Sequence, residues 1–61
     1  MQILVRQYVP QRDKTNTKVN TIEEALKLLD KSLSEVYFKH DWLNHVDLYF
    51  TGTNDYLRII N

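Results

Sequence analysis

The 61-residue sequence contains no cysteine, one glycine and one proline. Without cysteine, a chain has no disulfide, no thiolate nucleophile and no cysteine-ligated zinc site. A single glycine excludes a glycine-rich loop that cradles a phosphate. No apolar run approaches the roughly 20 residues of a membrane span, and none is long enough for a signal-peptide core. The sequence therefore predicts a soluble, cytoplasmic protein without a membrane anchor.

The charges balance, with eight basic and eight acidic residues. A net charge of zero argues against a bulk electrostatic attraction to nucleic acid or to anionic membranes. The distribution is uneven, because residues 1–20 hold four basic residues and a single acidic one. Three of the basic residues form a basic loop after the first predicted strand: Arg12, Lys14 and Lys18. This basic loop is either an ordinary solvated segment or a contact for an acidic partner surface.

One segment, residues 21–33, predicts an amphipathic helix. Its apolar residues recur at helical spacing and form one face: Ile22, Leu26, Leu29 and Leu33. Thr21 and Glu24 match a capping box, in which each side chain bonds the backbone of the other residue, so the start is well defined. No glycine or proline follows Leu33, and the end is predicted near Ser32 or Ser34.

Five further segments are rich in β-forming residues and predict strands at 2–9, 17–20, 35–39, 45–51 and 56–60. Pro10 ends the first strand because proline cannot donate to a ladder, and Gly52 begins a turn. Alternation gives one apolar face for the helix to cover: Ile3, Val5, Val9, Val36, Phe38, Val46, Leu48, Phe50, Leu57 and Ile59. The sequence predicts one two-layer α+β domain over residues 1–61, with one helix on a mainly antiparallel sheet. The order is ββαβββ, or βαβββ if residues 17–20 are not a strand.

The opposite face of this sheet has an unusual composition. It carries all four tyrosines with basic residues between them: Leu4, Arg6, Tyr8, Tyr37, Lys39, Tyr49, Tyr56, Arg58 and Ile60. One helix cannot cover both faces, so we expect an exposed aromatic patch. Three interpretations stay open. The tyrosines are ordinary half-exposed strand residues, or they bind a protein, or they stack on the bases of a single-stranded nucleic acid.

The predicted connection between the third and fourth strands, residues 40–44, contains Trp42. This residue either caps one end of the core or protrudes as an anchor for a partner. His40, Asp41 and His45 are residue types that bind transition metals. Because the two histidines belong to different strand ends, we expect a polar turn and no metal site there. No nucleophile–base pair and no cleft-forming helix pair are evident, so we expect no enzyme, no cofactor and no small-molecule substrate.

The size, the lack of cysteine and the compact α+β layout resemble those of small accessory proteins from bacteriophages and mobile elements. Such proteins commonly act stoichiometrically, by occupying a site on a larger host protein. The resemblance therefore implies an inhibitor or adaptor. We expect a non-enzymatic protein-binding module, or a homodimer, that uses the tyrosine face and Trp42. The alternative is a small single-stranded nucleic-acid-binding domain that uses the same aromatic and basic face, although no RNP-like motif is present.

Overall fold

The computed structural model describes residues 1–8 and 15–61. Its elements follow in the order β1 (Gln2–Gln7), β2 (Thr15–Val19), α1 (Ile22–Leu29), a 3-10 turn (Leu33–Glu35), β3 (Val36–Asp41), β4 (His45–Phe50) and β5 (Tyr56–Ile60). The α+β class and the order ββαβββ are confirmed, and the alternative without the second strand is wrong. The predicted roles of Val9, Pro10, Arg12 and Lys14 lie outside the described residues.

The five strands form one sheet in the spatial order β2-β1-β5-β4-β3, and all neighbouring strands are antiparallel. A tight turn joins β3 to β4, where the Trp42 amide donates to the His45 carbonyl at 2.8 Å. The turn between β4 and β5 contains Gly52 at a φ of 80°, a conformation that favours glycine. β1 then pairs with β5, which places the first strand inside the sheet.

α1 begins where the capping signal predicts and ends earlier than predicted. The Thr21 hydroxyl accepts from the Glu24 amide at 3.1 Å, as expected of an N-cap. Asp30 adopts the left-handed conformation with φ 55°. Its amide donates to the Lys27 carbonyl and the Lys31 amide donates to the Leu26 carbonyl, which is the hydrogen-bond pattern of a Schellman motif. The predicted end near Ser32 or Ser34 is therefore wrong, because these bonds stop the helix at Leu29.

The core lies between α1 and one face of the sheet. Its buried residues are Ile3, Val5, Ala25, Leu29, Phe50 and Leu57. The helix packs mainly on β1 and β2, and Val19 of β2 packs against the buried cluster. None of the helices in the described part of the chain is long and apolar enough to cross a membrane.

A β-bulge in β3 corrects two of the predicted side-chain placements. Val36 lies opposite Phe50, but the register shifts after it, so Phe38 lies opposite Tyr49 and Lys39 opposite Leu48. The extra residue reverses the alternation of the strand. Phe38 is therefore 50% exposed on the face away from α1, and Lys39 lies on the helix side. The predictions of an inward Phe38 and of Lys39 on the tyrosine face are both wrong.

Candidate functional site

The sheet face that turns away from α1, called here the outer face, is crossed by two rows of side chains. Residues directly opposite each other on neighbouring strands share a face, so the register defines each row. The ion-pair row contains Lys18, Leu4, Arg58, Asp47 and His40. The ring row contains Arg6, Tyr56, Tyr49 and Phe38, with Asn16 at its β2 end. The outer face thus brings together residues from all five strands.

The ring row is a continuous series of aromatic contacts that starts at a guanidinium group. Arg6 lies over the Tyr56 ring at 5.7 Å from its centroid. The Tyr56 and Tyr49 centroids are 5.1 Å apart, and those of Tyr49 and Phe38 are 5.7 Å apart. These separations are typical of favourable aromatic pairs. Arg58 contacts the same Tyr56 ring at 5.7 Å, so the tyrosine joins the two rows.

A tyrosine cleft opens at the end of the ring row. It has a volume of about 520 Å³ and is lined by Tyr8, Tyr37, Tyr49, Thr53, Asn54 and Tyr56. All four tyrosines therefore meet in one place, although they come from four different strands or strand ends. A hydrogen bond of 2.8 Å from the Tyr8 amide to the Asp55 carboxylate connects the end of β1 to the turn before β5.

The side chains of the outer face differ in exposure. Tyr37 is 64% exposed, while Tyr8, Phe38 and Trp42 are each about half exposed. Tyr56 is buried, with 8% exposure, so it supports its neighbours and offers little contact area of its own. Partial burial raises the pKa of Tyr49 above its ordinary value, and the nearby Asp47 carboxylate adds to the effect. Exposed Phe38 therefore packs on half-buried Tyr49, which packs in turn on buried Tyr56.

Asp47 is the centre of the ion-pair row. Its side chain is 1% exposed, yet no helix covers it. Arg58 donates from Nε to one carboxylate oxygen at 2.8 Å and from Nη2 to the other at 3.0 Å, and the Trp42 indole donates to the second oxygen at 3.2 Å. Burial alone would raise the pKa of Asp47, but the bonds and charge of Arg58, together with the indole, hold this pKa below 3.8.

Trp42 packs on the outer face and stays 49% exposed. It is not among the side chains of the described core, and its interpretation as an anchor stays a prediction. Its ring centroid lies 4.0 Å from that of His40 and 5.5 Å from that of His45. His40 and Asp41 belong to β3, so the connection predicted over residues 40–44 is limited to residues 42–44. Within the described residues, no group of three or more histidine and acidic side chains is placed to hold a metal ion. The two histidines flank an indole instead.

The basic residues of the outer face are not equivalent. Arg58 is neutralised by Asp47, whereas no carboxylate among the described residues lies within 4.0 Å of Arg6 or Lys18. The Arg6 Nε atom is buried and has no hydrogen-bond acceptor within the described part of the chain. Lys39 lies on the other face, 4.0 Å from Asp41. Arg12 and Lys14 of the predicted basic loop are outside the described residues, and Lys18 is exposed in β2.

Sequence reasoning placed the tyrosines, Arg6 and Arg58 on this face but missed the roles of Asp47 and Phe38. His45, Asp47 and Tyr49 are two positions apart along β4 and therefore share one face of the sheet. Antiparallel pairing of β4 with β5 places Asp47 opposite Arg58, which could have been tested from the sequence. No comparable signal marked the bulge that turns Phe38 outward. No protein-family model, no curated protein and no solved structure matches this chain. The geometry of the outer face is therefore the basis for a functional proposal.

Proposed function

We propose that this chain is a non-enzymatic protein-binding module that docks through its outer face on a larger protein. The observation that carries the proposal is a group of half-exposed aromatic side chains on one uncovered sheet face: Tyr8, Tyr37, Phe38 and Trp42. An exposed apolar patch is typical of an interaction site. Tyrosine, tryptophan and arginine are enriched at the centres of protein interfaces. Tyr37 and Phe38 belong to β3, whose backbone is fixed by pairing with β4, so these two rings lose less conformational freedom on binding.

The balance of charge supports a protein partner over a nucleic acid. A single-stranded nucleic acid needs several free cations along its phosphate backbone. Arg58 is bonded to Asp47, and Lys39 lies on the helix side. On the described part of the outer face, Arg6 and Lys18 are the basic residues left without an acidic partner. Nucleic-acid binding is accordingly the runner-up.

The same charges support a partner different from this chain. In a two-fold dimer the same surface patch of each copy meets the other. An outer-face homodimer would bring Arg6 and Lys18 of both copies into one interface. Among the described residues of that face, Asp47 carries the carboxylate, and this carboxylate is already bonded to Arg58. It therefore cannot neutralise Arg6 or Lys18 of the other copy. Stoichiometric binding to another protein, as an inhibitor or adaptor, fits this surface better.

Site-specific photo-crosslinking tests the proposal. We would place p-benzoylphenylalanine at Phe38 on the outer face or at Leu28 on α1, two positions with 50% and 46% exposure. Each variant is expressed in living cells and irradiated, and the crosslinked species are identified by mass spectrometry. We expect one protein to be captured from position 38 and not from position 28. A second copy of the chain captured from position 38 would indicate the homodimer instead.

Binding to the purified partner then measures the contribution of the rings. The double variant Tyr37→Ser with Phe38→Ser should weaken binding at least tenfold by titration calorimetry, because it removes two exposed aromatic contacts. The control is Leu28→Ser with Leu33→Ser, which removes two exposed apolar side chains that lie outside the strands, in α1 and in the 3-10 turn. Equal losses in both double variants, or crosslinks to nucleic acid alone, would contradict a protein-binding outer face.

A further inference from the structure

We infer that the outer face recognises an extended acidic segment of its partner, in which one carboxylate pairs with Arg6 while an apolar side chain packs on the ring row. This inference rests on the proposed function and specifies the chemistry of the partner. It depends on three observations, which concern the state of Arg6, the charge of the face and the length of the ring row.

Arg6 lacks the partners that a guanidinium group usually has. Its guanidinium carbon lies 5.7 Å from the Tyr56 ring centroid, and its Nε is buried without an acceptor among the described residues. Within the described part of the chain, no carboxylate lies within 4.0 Å of this side chain either. An arginine that is already oriented by an aromatic ring loses less freedom when it binds a planar carboxylate through paired hydrogen bonds. Because Nε is closed to solvent, a ligand carboxylate would bond the terminal Nη groups of this half-buried side chain.

The outer face also carries a surplus of positive charge. Lys18 is exposed and lies on the same face of the β1–β2 pair as Arg6. Asp47 is fully engaged by Arg58 and Trp42 and is closed to solvent. A partner with carboxylates opposite Arg6 and Lys18 would complement this charge, whereas a basic partner would be repelled.

The ring row sets the spacing of the ligand. Arg6 and Phe38 are separated by three interstrand steps, from β1 through β5 and β4 to β3. At about 4.8 Å for each step, the row is about 14 Å long. An extended peptide rises about 3.3 Å per residue, so about four residues cover this distance. We therefore expect the acidic residue and the apolar residue to lie about four positions apart.

Peptide selection tests the inference directly. A phage-displayed library of random 12-residue peptides is selected on the immobilised chain, and the enriched peptides are synthesised. We expect enrichment of an aspartate or glutamate about four positions from an aromatic or aliphatic residue. Replacing that acid by its amide in the synthetic peptide should weaken binding at least tenfold. This arm leaves the chain unaltered, so it does not depend on how any variant folds.

Variants of the chain locate the contact. Arg6→Gln should weaken binding of the acidic peptide at least tenfold and should remove most of the difference between the acid and amide peptides. Lys39→Gln is the matched control, because it removes a basic residue of the same sheet from the helix side. The affinity of the unaltered chain for the acidic peptide should fall as the salt concentration rises, because salt screens the charge pair. The affinity of the Arg6→Gln variant should depend less on salt.

Several results would overturn the inference. They are selected peptides without an acidic residue, equal losses for Arg6→Gln and Lys39→Gln, or tighter binding of a 20-nucleotide oligothymidylate than of any selected peptide. Failure of the acidic ligand can be distinguished from failure of the protein-docking function. If Arg6→Gln has no effect while Tyr37→Ser with Phe38→Ser abolishes binding of the crosslinked protein, the acidic ligand is wrong and the docking face stands. If neither variant affects that protein, both are wrong.

Discussion

The two faces of the sheet bury side chains by different means. On the helix side, Val5, Phe50 and Leu57 are fully buried in an apolar layer closed by α1. On the outer face Asp47 is buried just as completely, but its cover is made of Arg58 and Trp42 from the same sheet. The first arrangement depends on excluding water from hydrocarbon, and the second depends on matched hydrogen bonds around one charge. A sheet face on which no described element packs can thus fix a polar residue while its outermost rings stay accessible.

The chain has two phenylalanines, one for each face, and replacing each by alanine gives the sharpest contrast between them. Phe50→Ala should destabilise the protein by about 3–5 kcal/mol, because it empties a site in the closed core. This loss approaches the whole stability of a domain of this size. Phe38→Ala should cost under about 1 kcal/mol, since that ring is half exposed. Urea denaturation followed by circular dichroism measures both, and similar losses would show that the outer face is packed as a core.

Removing the buried carboxylate tests the outer face itself. Asp47→Ala should destabilise the protein by about 2 kcal/mol, because it leaves Arg58 and the Trp42 indole without their acceptor. The Arg58 side chain is partly exposed, at 26%, so water compensates some of the loss. The control is Asp41→Ala, which removes an exposed carboxylate from β3 and should change stability by less than about 0.5 kcal/mol. Equal effects of the two substitutions would argue that the ion-pair row contributes nothing to folding.

A weaker helix should affect the two faces unequally. Thr21→Ala removes the N-cap bond to Glu24 and should cost about 1 kcal/mol. Thr51→Ala, in the turn after β4, is an exposed control that should stay within about 0.5 kcal/mol of the wild type. In the Thr21→Ala variant, hydrogen exchange should become faster first at the backbone amides of α1 and of the strands it packs on, β1 and β2. Peptide binding at the outer face should be unchanged. A parallel loss of binding would mean that the helix also supports the ring row.

The smallest expected effect is a dependence on pH. The pKa of Asp47 is lower in the folded protein than its ordinary 3.8, so the folded state favours the carboxylate. The stability that this group contributes is fully present above about pH 4 and is lost as the pH falls below 3.8 towards the folded pKa. Urea denaturation between pH 7 and pH 2.5 should show the decline. Asp47→Asn should flatten it, and an unchanged acid dependence in that variant would contradict the assignment.

The sequence predicted the fold well where local signals were strong. The four long strands follow from alternation, and Thr21 marks the start of the helix. The end of the helix was missed because Asp30, and not a glycine, adopts the left-handed conformation. The start of the second strand was placed two residues late, since the polar residues 15 and 16 are paired with β1 by backbone bonds that no side-chain pattern reveals.

The candidate site was predicted in outline and not in detail. Alternation placed the tyrosines, Arg6 and Arg58 together, because a strand residue two positions along points the same way. Which cations stay free could not be predicted, since it depends on the pairing of Arg58 with Asp47 across β4 and β5. The exposure of Phe38 could not be predicted either, because the bulge that creates it lies in the register of β3 against β4.

The bulge next to Tyr37 also affects how this surface could change over evolution. Downstream of it, every side chain of β3 points the opposite way from an uninterrupted strand. Deleting Tyr37 would remove the bulge and leave Phe38 opposite Tyr49 and Lys39 opposite Leu48, so the ring row would keep its face. The bulge therefore adds one tyrosine to the cleft without changing the pairing of the residues on either side of it. Related sequences that lack this residue should keep the ring row and lose the β3 side chain of the tyrosine cleft.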